Sequence, residues 1–408
     1  MERCTIRGSM YGVVLAAGQG TRMRPLTDFR PKPLLPAGGR PLLEHVFDAC
    51  LDVVDEFVVV IGYRGADVID QLGDEYRGVP ITYVEQGEPA GTAHAIGQAE
   101  SVVDERFVVL NGDVLVDPAL PTALADAGGH AIATTPVSDP TSYGVVSVDA
   151  DSSLEAIVEK PANPPTNLAN VGCYAFEPEV FEYIERTARS ERGEFEITET
   201  LELLLDDGHE VSVVEYDGQW LDVGRPWELL SANERVLADI GRDIQGDVAD
   251  GAKLEGDVVV EEGATVREGV VIEGPVIVKS GAEIGPNAYV RGATAIGPDV
   301  HVGHGVEVKN SILMSDAAVP HLSYVGDSLL GRDVNLGAGT KVANLRHDDA
   351  SVQMTVKGER VDTGRRKLGV VLGDEVKTGI NVSLNAGVKV GSGVGIEPGK
   401  TVLRDVEN

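Results

Sequence analysis

An aliphatic residue recurs every six positions at Val248, Leu254, Val260, Val266, Ile272, Val278, Ile284, Val290, Ile296, Val302 and Val308. Neither a helix period nor the alternation of a half-buried strand produces that spacing. Four residues after each comes a small or β-branched side chain, as at Ala252, Val258, Ala264, Ala282, Ala288 and Thr294, with Gly, Pro, Asn and Asp crowding the positions between. Short strands joined by turns, wound so that each aliphatic stacks on its equivalent in the next coil, bury a continuous column. The pattern therefore predicts a parallel β-helix of hexapeptide repeats. It slips by one near Met314 and Val319, resumes at Val325, Leu330, Leu336 and Val342, and returns after a break at Leu372, Thr378, Leu384, Val390, Ile396 and Val402. The break is too polar for a coil interior and predicts a loop excursion over about 343–371, the kind of segment that often carries a solenoid's binding function.

Upstream the pattern is different. Buried-type strands at 11–15, 57–61, 81–84 and 107–110 alternate with helical patterns through Leu43, Val46, Phe47 and Cys50, then at 66–72 and 92–100. This alternation predicts a Rossmann-like, doubly wound, mainly parallel α/β sheet, with ligands beyond the carboxyl ends of the strands. The expected division is a disordered leader over 1–9, an α/β domain over 10–235, a linker over 236–247 and the β-helix over 248–405. Met10 would serve as a start as well as Met1.

The 408 residues carry 66 Asp plus Glu against 34 Lys plus Arg, a formal net charge of -32. Such a surface repels phosphate backbones and anionic membranes, which argues against nucleic acid and membranes as partners. With 23 Arg against 11 Lys, it suits a high-salt cytoplasm. Cys4, Cys50 and Cys173 show neither disulfide nor metal-ligand spacing, and no apolar run is long enough for a bilayer span or a signal core.

Loops after the strands hold the candidate chemistry. Leu15-Ala16-Ala17-Gly18-Gln19-Gly20-Thr21-Arg22 offers glycines for close backbone approach to a triphosphate and a guanidinium fork for its oxygens. Pro31-Lys32-Pro33-Leu34-Leu35-Pro36 presents Lys32 from a segment stiffened by prolines. Leu110-Asn111-Gly112-Asp113 ends a buried strand with a carboxylate suited to Mg²⁺ held by few protein ligands plus substrate phosphates.

Together these residues resemble the sugar nucleotidyltransferase family over roughly 10–235. The resemblance implies that Arg22 and Lys32 neutralise the triphosphate and leaving pyrophosphate, and that Asp113 shares Mg²⁺ with Asp222 of Trp220-Leu221-Asp222-Val223-Gly224. It further implies that Leu15, Ala17, Gly18, Gly20, Thr21, Gln86, Gly91 and Thr92 hold the nucleotide, with Gln86 pairing to a pyrimidine edge, so that UTP and dTTP both remain open. Tyr143, Gly144, Glu159, Lys160 and Asn170 would line the sugar-phosphate side. The expected reaction is in-line attack of a sugar 1-phosphate, N-acetylglucosamine or glucose 1-phosphate, on the α-phosphorus.

In the coil, His321-Leu322-Ser323-Tyr324-Val325-Gly326-Asp327 and Leu336-Gly337-Ala338-Gly339-Thr340, followed by Asn344, resemble the acetyltransferase domain of bifunctional N-acetylglucosamine-1-phosphate uridylyltransferases. Thr363-Gly364-Arg365-Arg366-Lys367-Leu368-Gly369 resembles their archaeal members. That resemblance implies a left-handed coil, a homotrimer or a multiple of it, and acetyl-CoA as co-substrate. His321 would take the amine proton, which a neutral imidazole can do. Tyr324 and Asn344 would orient the amino sugar, Gly337 and Ala338 would line the CoA path, and Arg365, Arg366 or Lys367 would meet phosphates. Where relatives carry lysines after the asparagine, this chain reads Leu345-Arg346-His347-Asp348-Asp349-Ala350-Ser351. Two readings compete: a coil that is only structural or regulatory, and a non-catalytic subunit like the exchange-factor subunits of translation initiation.

Overall fold

A computed structural model describes residues 9–407. The expected leader lies outside the described residues except for Ser9, as does Cys4. The chain forms two compact units. One comprises the chain up to Gln19, Pro31–Leu34 and Leu42–Asp222; the other comprises Gly20–Arg30, Leu35–Pro41 and Val223 onward.

In the first unit, Tyr11–Ala16 pairs in parallel with Glu56–Ile61 on one side and Phe107–Asn111 on the other, and Glu56–Ile61 pairs in parallel with Val79–Glu85. The central strands read as unbroken apolar runs because both faces are covered. Val14, Val59, Val108 and Leu110 join helix Leu42–Cys50 in one core, while Val13, Val58, Val60 and Val109 join helices Thr92–Gly97 and Ile197–Asp206 in the other. Leu43, Val46, Phe47 and Cys50 keep helical spacing and are fully buried, and Phe47 stacks on Phe57 with centroids 4.3 Å apart. Beyond Phe107–Asn111 the sheet turns mixed. Leu168–Phe176 runs antiparallel to Phe107–Asn111 and His130–Pro136, and Gly144–Val148 pairs antiparallel with Leu154–Glu159. A short turn can only join antiparallel strands, and Asp149 builds one here by accepting from the Asp151 and Ser153 backbone N–H groups.

The second unit is dominated by the coil, whose three faces are parallel ladders. One runs Val258–Val260, Val276–Val278, Thr294–Ile296, Ile312–Leu313, Leu329–Leu330, Val371–Leu372, Lys389–Val390. Aliphatics at the sixth positions and the small residues four later share one continuous core. At the slip the column position falls to Leu313, five residues after Val308, and Met314 instead receives a hydrogen bond from Arg30. A second shortening separates Val325 from Leu330. Thr378 keeps step by bonding Thr340 at 2.9 Å inside the coil. The chain leaves after Lys341–Val342, forms the hairpin Gln353–Val356 with Glu359–Asp362, and rejoins at Val371–Leu372.

Helix Pro226–Ala238 has proline at its first turn, where no N–H is needed. Its Asn233 is fully buried and fully used: Oδ1 accepts from Gly38 N–H at 2.9 Å and Nδ2 donates to the Ala293 carbonyl at 2.8 Å. Gly38 is required there, because its φ is +58° and a Cβ would sit 2.3 Å from Val236.

Candidate functional site

The first unit gathers its candidates at the carboxyl edge of the parallel strands. Leu15, next to last in its strand, has a carbonyl that accepts from Gly112 N–H at 2.9 Å, which holds Asp113 beside the first loop. A Cβ on Gly112 would lie 3.0 Å from that carbonyl and 3.5 Å from Pro33, so the turn packs directly on the proline segment that carries Lys32. Lys32 and Asp113 form an ion pair, both side chains largely shielded from water. Asp222 lies in a short two-stranded antiparallel sheet opposite Val114, the residue that follows Asp113. Hard oxygen donors of this kind suit Mg²⁺. Ala17 is buried and its carbonyl accepts from Tyr63 N–H, whereas Gly18 opens onto free space.

Gln86 is only 5 % exposed, and its Nε2 faces His94 Nδ1 at 2.8 Å and the Gly91 carbonyl at 3.4 Å. Gly91 has φ +118° and passes so close to Phe195 that a Cβ would meet its carbonyl oxygen at 2.3 Å. Thr92 Oγ1 accepts from Ile197 N–H at 3.0 Å, so this pair also ties the loop to the start of helix Ile197–Asp206.

On the sugar side, Tyr143 packs edge-on against Trp220 with centroids 5.4 Å apart. Glu159 is paired with Lys160 at 2.9 Å and with Arg192 at 3.3 Å. Gly144 leaves room for this group, since a Cβ there would lie 3.1 Å from Glu159 Oε2 and 3.5 Å from Asn170 Cβ. Asn170 is held by Tyr174 at 2.7 Å and by Gly172 N–H at 2.9 Å. The sequence reading missed Arg192 and Glu196. Arg192 reaches Glu196 at 3.0 Å, and burial holds that carboxyl above its ordinary range against the pull of the arginine.

A separate cluster, His130, Glu179 and His209, brings three metal-ligand atoms within 4.8 Å. His130 Nδ1 accepts from Glu177 N–H, so the neutral ring carries its proton on Nε2 and donates it to Glu179 at 3.0 Å. That proton occupies the atom a cation would need. The cluster is a hydrogen-bonded network.

In the second unit, Gly20 takes φ +60° and its carbonyl accepts from Met23 N–H and Thr27 Oγ1, folding Thr21–Met23 into one tight turn. Arg22 is exposed and lies against Gly224, where a Cβ would sit 3.2 Å from its Nη2.

Along the coil, His321 is exposed and in register with His304 one coil earlier. Asn344 Nδ2 donates to the Tyr324 hydroxyl at 3.1 Å and to Asp327. Asp327, 2 % exposed, also receives Lys309 Nζ at 3.1 Å and Asn310 Nδ2 at 2.9 Å. Burial pushes the Tyr324 phenol above its ordinary value, so it keeps a proton to donate. Gly337 packs on the Gly379 backbone of the next coil, Gly339 takes φ +77°, and the Ala338 carbonyl accepts from Asn381 N–H. Arg365, one of three residues expected to meet phosphates, pairs with Glu234 and donates to Ser231 at 2.9 Å. Arg366 pairs with Asp349 at 2.6 Å, and Lys367 is exposed.

The nucleotidyl transferase family model matches residues 11–239, and that of the GMPPB C-terminal domain matches 272–388. The bifunctional protein GlmU of Methanocaldococcus jannaschii is 43% identical over 98% of this chain and 96% of its own length. The chain belongs to the bifunctional GlmU family. Members at similar distance include the bifunctional sugar-1-phosphate nucleotidylyltransferase/acetyltransferase of Sulfurisphaera tokodaii, 38% identical over 97% of this chain and 98% of that protein. A shorter relative, the low-salt glycan biosynthesis nucleotidyltransferase Agl11 of Haloferax volcanii, is 39% identical over 81% of this chain and 94% of its own. Among solved structures, a glucose-1-phosphate thymidylyltransferase of Bacillus anthracis aligns with TM-score 0.51 and 31% identity, over 58% of this chain and 98% of that one. Like its GlmU-family relatives the protein is a nucleotidyltransferase joined to an acetyltransferase. Among the described residues no helix is long and apolar enough to cross a membrane.

Proposed function

We propose that the first unit joins UTP or dTTP to a sugar 1-phosphate, N-acetylglucosamine or glucose 1-phosphate, and releases pyrophosphate. The observation that carries this reading is the shielded Lys32–Asp113 pair, with Asp222 opposite the residue that follows Asp113 in a short two-stranded sheet. A phosphate oxygen of the sugar attacks the α-phosphorus while the bond to the bridging oxygen breaks and pyrophosphate leaves. The protein must align two anions and offset their repulsion. Lys32 and Lys160 supply cationic groups, and Tyr143, Glu159 and Asn170 supply the sugar contacts. Asp113 and Asp222 would hold Mg²⁺, which when bound adds positive charge to the phosphates.

We propose for the coil an acetyl transfer from acetyl-CoA to an amino-sugar 1-phosphate. The amine attacks the thioester carbonyl, the carbon–sulfur bond breaks, CoA leaves, and His321 takes the amine proton. Support comes from Tyr324, three residues after that histidine, and Asn344, which are already bonded to each other. A homotrimer, or a multiple of it, in a salt-rich cytoplasm fits the family and the net charge of -32.

The test is incubation with Mg²⁺, a panel of nucleoside triphosphates and sugar 1-phosphates, with and without acetyl-CoA, and identification of products by mass. Lys32→Ala should lower nucleotidyl kcat about 10²-fold or more, as loss of one transition-state charge partner does, while acetyl transfer continues. Unchanged nucleotidyl turnover in that variant would remove Lys32 from the mechanism.

A further inference from the structure

Gln86 carries one amide, and its surroundings decide which end meets a ligand. The Gly91 carbonyl can only accept, so the nitrogen end must face it, at 3.4 Å. The same Nε2 lies 2.8 Å from His94 Nδ1, which must then be the acceptor. A competing assignment exists, because Gln98 Nε2 lies 3.5 Å from His94 Nε2. That contact is longer than the 2.8 Å one from Gln86, and Gln98 Nε2 already donates to the His94 carbonyl at 3.0 Å, so the shorter contact prevails. His94 therefore holds its proton on Nε2. Its ring is fixed from the other face by Phe195, stacked at 27° with centroids 6.3 Å apart.

The consequence is that both Gln86 amide hydrogens point into the protein. Among the described residues no donor reaches its Oε1. We infer that His94 is a positioning residue that fixes the Gln86 amide as a pure acceptor, so that the base subsite takes pyrimidines carrying a hydrogen on N3 and rejects those that do not. Uracil and thymine present N3–H, a donor that meets Oε1. Cytosine presents a lone pair at N3, and two acceptors would face each other with no donor between them. The inference rests on the reading that Gln86 meets the base, and it names what the glutamine alone leaves open, since an unrestrained amide can turn over and suit either class.

The experiment compares kcat/KM for UTP, dTTP and CTP in the full chain and two variants. His94→Phe keeps the ring against Phe195 and deletes the acceptor. His94→Asn keeps an acceptor near the Nδ1 position. The parent should use UTP and dTTP and discriminate against CTP. The Phe variant should lose about tenfold or more of that discrimination, mainly through KM, and the Asn variant should retain most of it. A Phe variant with the parent's UTP:CTP ratio overturns the inference. A parent that turns over no pyrimidine nucleotide would instead overturn the proposed function. Nitrogen-15 spectra of the parent's histidines give an independent reading should the Phe variant not fold: a His94 ring protonated on Nδ1 refutes the assignment.

Discussion

Three donors converge on the carboxylate of Asp327, which is 2 % accessible. Replacing it by Asn isolates the charge. Its φ is +51°, a left-handed conformation that Asn tolerates, so no backbone penalty confuses the result. The amide can still accept from one or two of Lys309, Asn310 and Asn344, but Lys309, whose side chain is 17 % exposed, loses its ion-pair partner at 3.1 Å. Removing one member of a buried pair costs about 3–5 kcal/mol, and partial access of Lys309 to water lowers this to about 2–3 kcal/mol. For a cooperative unit of this size that is a fall in melting temperature of roughly 4–12 °C. The assay is thermal unfolding of Asp327→Asn, Lys309→Met and the double variant. The double should recover part of the loss, because no unpaired ammonium remains. Additive losses, or an Asp327→Asn variant that melts with the parent, would refute the claim that this pair anchors the coil. Asn344 also loses its orientation, so acetyl transfer should decline more than the melting temperature alone explains.

Burial pushes the Cys50 thiol up to about 12 and Cys173 higher still. Neither should react with iodoacetamide in the native protein, and modification of either at native rates would contradict their placement. His130 is held below its ordinary value chiefly by burial. Its contribution is therefore complete above the unfolded value of about 6.5 and is lost as pH falls from there through the folded value. His130→Gln should flatten that acid-side loss of melting temperature, and an equal slope in parent and variant would show that other groups set it. With a net charge of -32, melting temperature should rise with KCl as repulsion is screened. A flat dependence would count against a salt-adapted surface.

What the sequence disclosed follows from how each feature is encoded. The coil was legible because stacking demands the same residue type at every sixth position, and eleven repetitions leave no competing period. Three of the four parallel strands were legible because burial on both faces writes unbroken runs such as 57–61, whereas Val79–Glu85 is only partly buried. Gly144–Val148 and Leu154–Glu159 were not read as a pair, since an edge hairpin is fixed by register and by the Asp149 turn and not by composition. Lys32 and Asp113 stand out as chemistry in a proline-stiffened loop and at a strand end, whereas Asp222 is reached only through the family resemblance. Partnership is another matter. The resemblance implies a phosphate contact for Arg365, Arg366 or Lys367, and says nothing of Glu234, distant in sequence, with which Arg365 pairs.

Asp327 makes the physical reason plain. Asp299, Asp316, Asp327 and Asp333 all occupy left-handed corners of the coil, with φ of 56°, 61°, 51° and 52°. A corner needs a residue that tolerates positive φ, and Asp meets that need wherever it points. Three of the four are exposed; Asp327 alone turns inward. The difference lies one coil earlier, where Lys309 and Asn310 arrive in register and supply the donors that make burial of a carboxylate tolerable. Neighbours along the chain do not encode that register. It arises from the height of a coil, and the shortening between Val308 and Leu313 alters that register by one residue at the corner where Lys309 and Asn310 lie. A residue inserted there should therefore unmake the Asp327 cluster while leaving the aliphatic column intact.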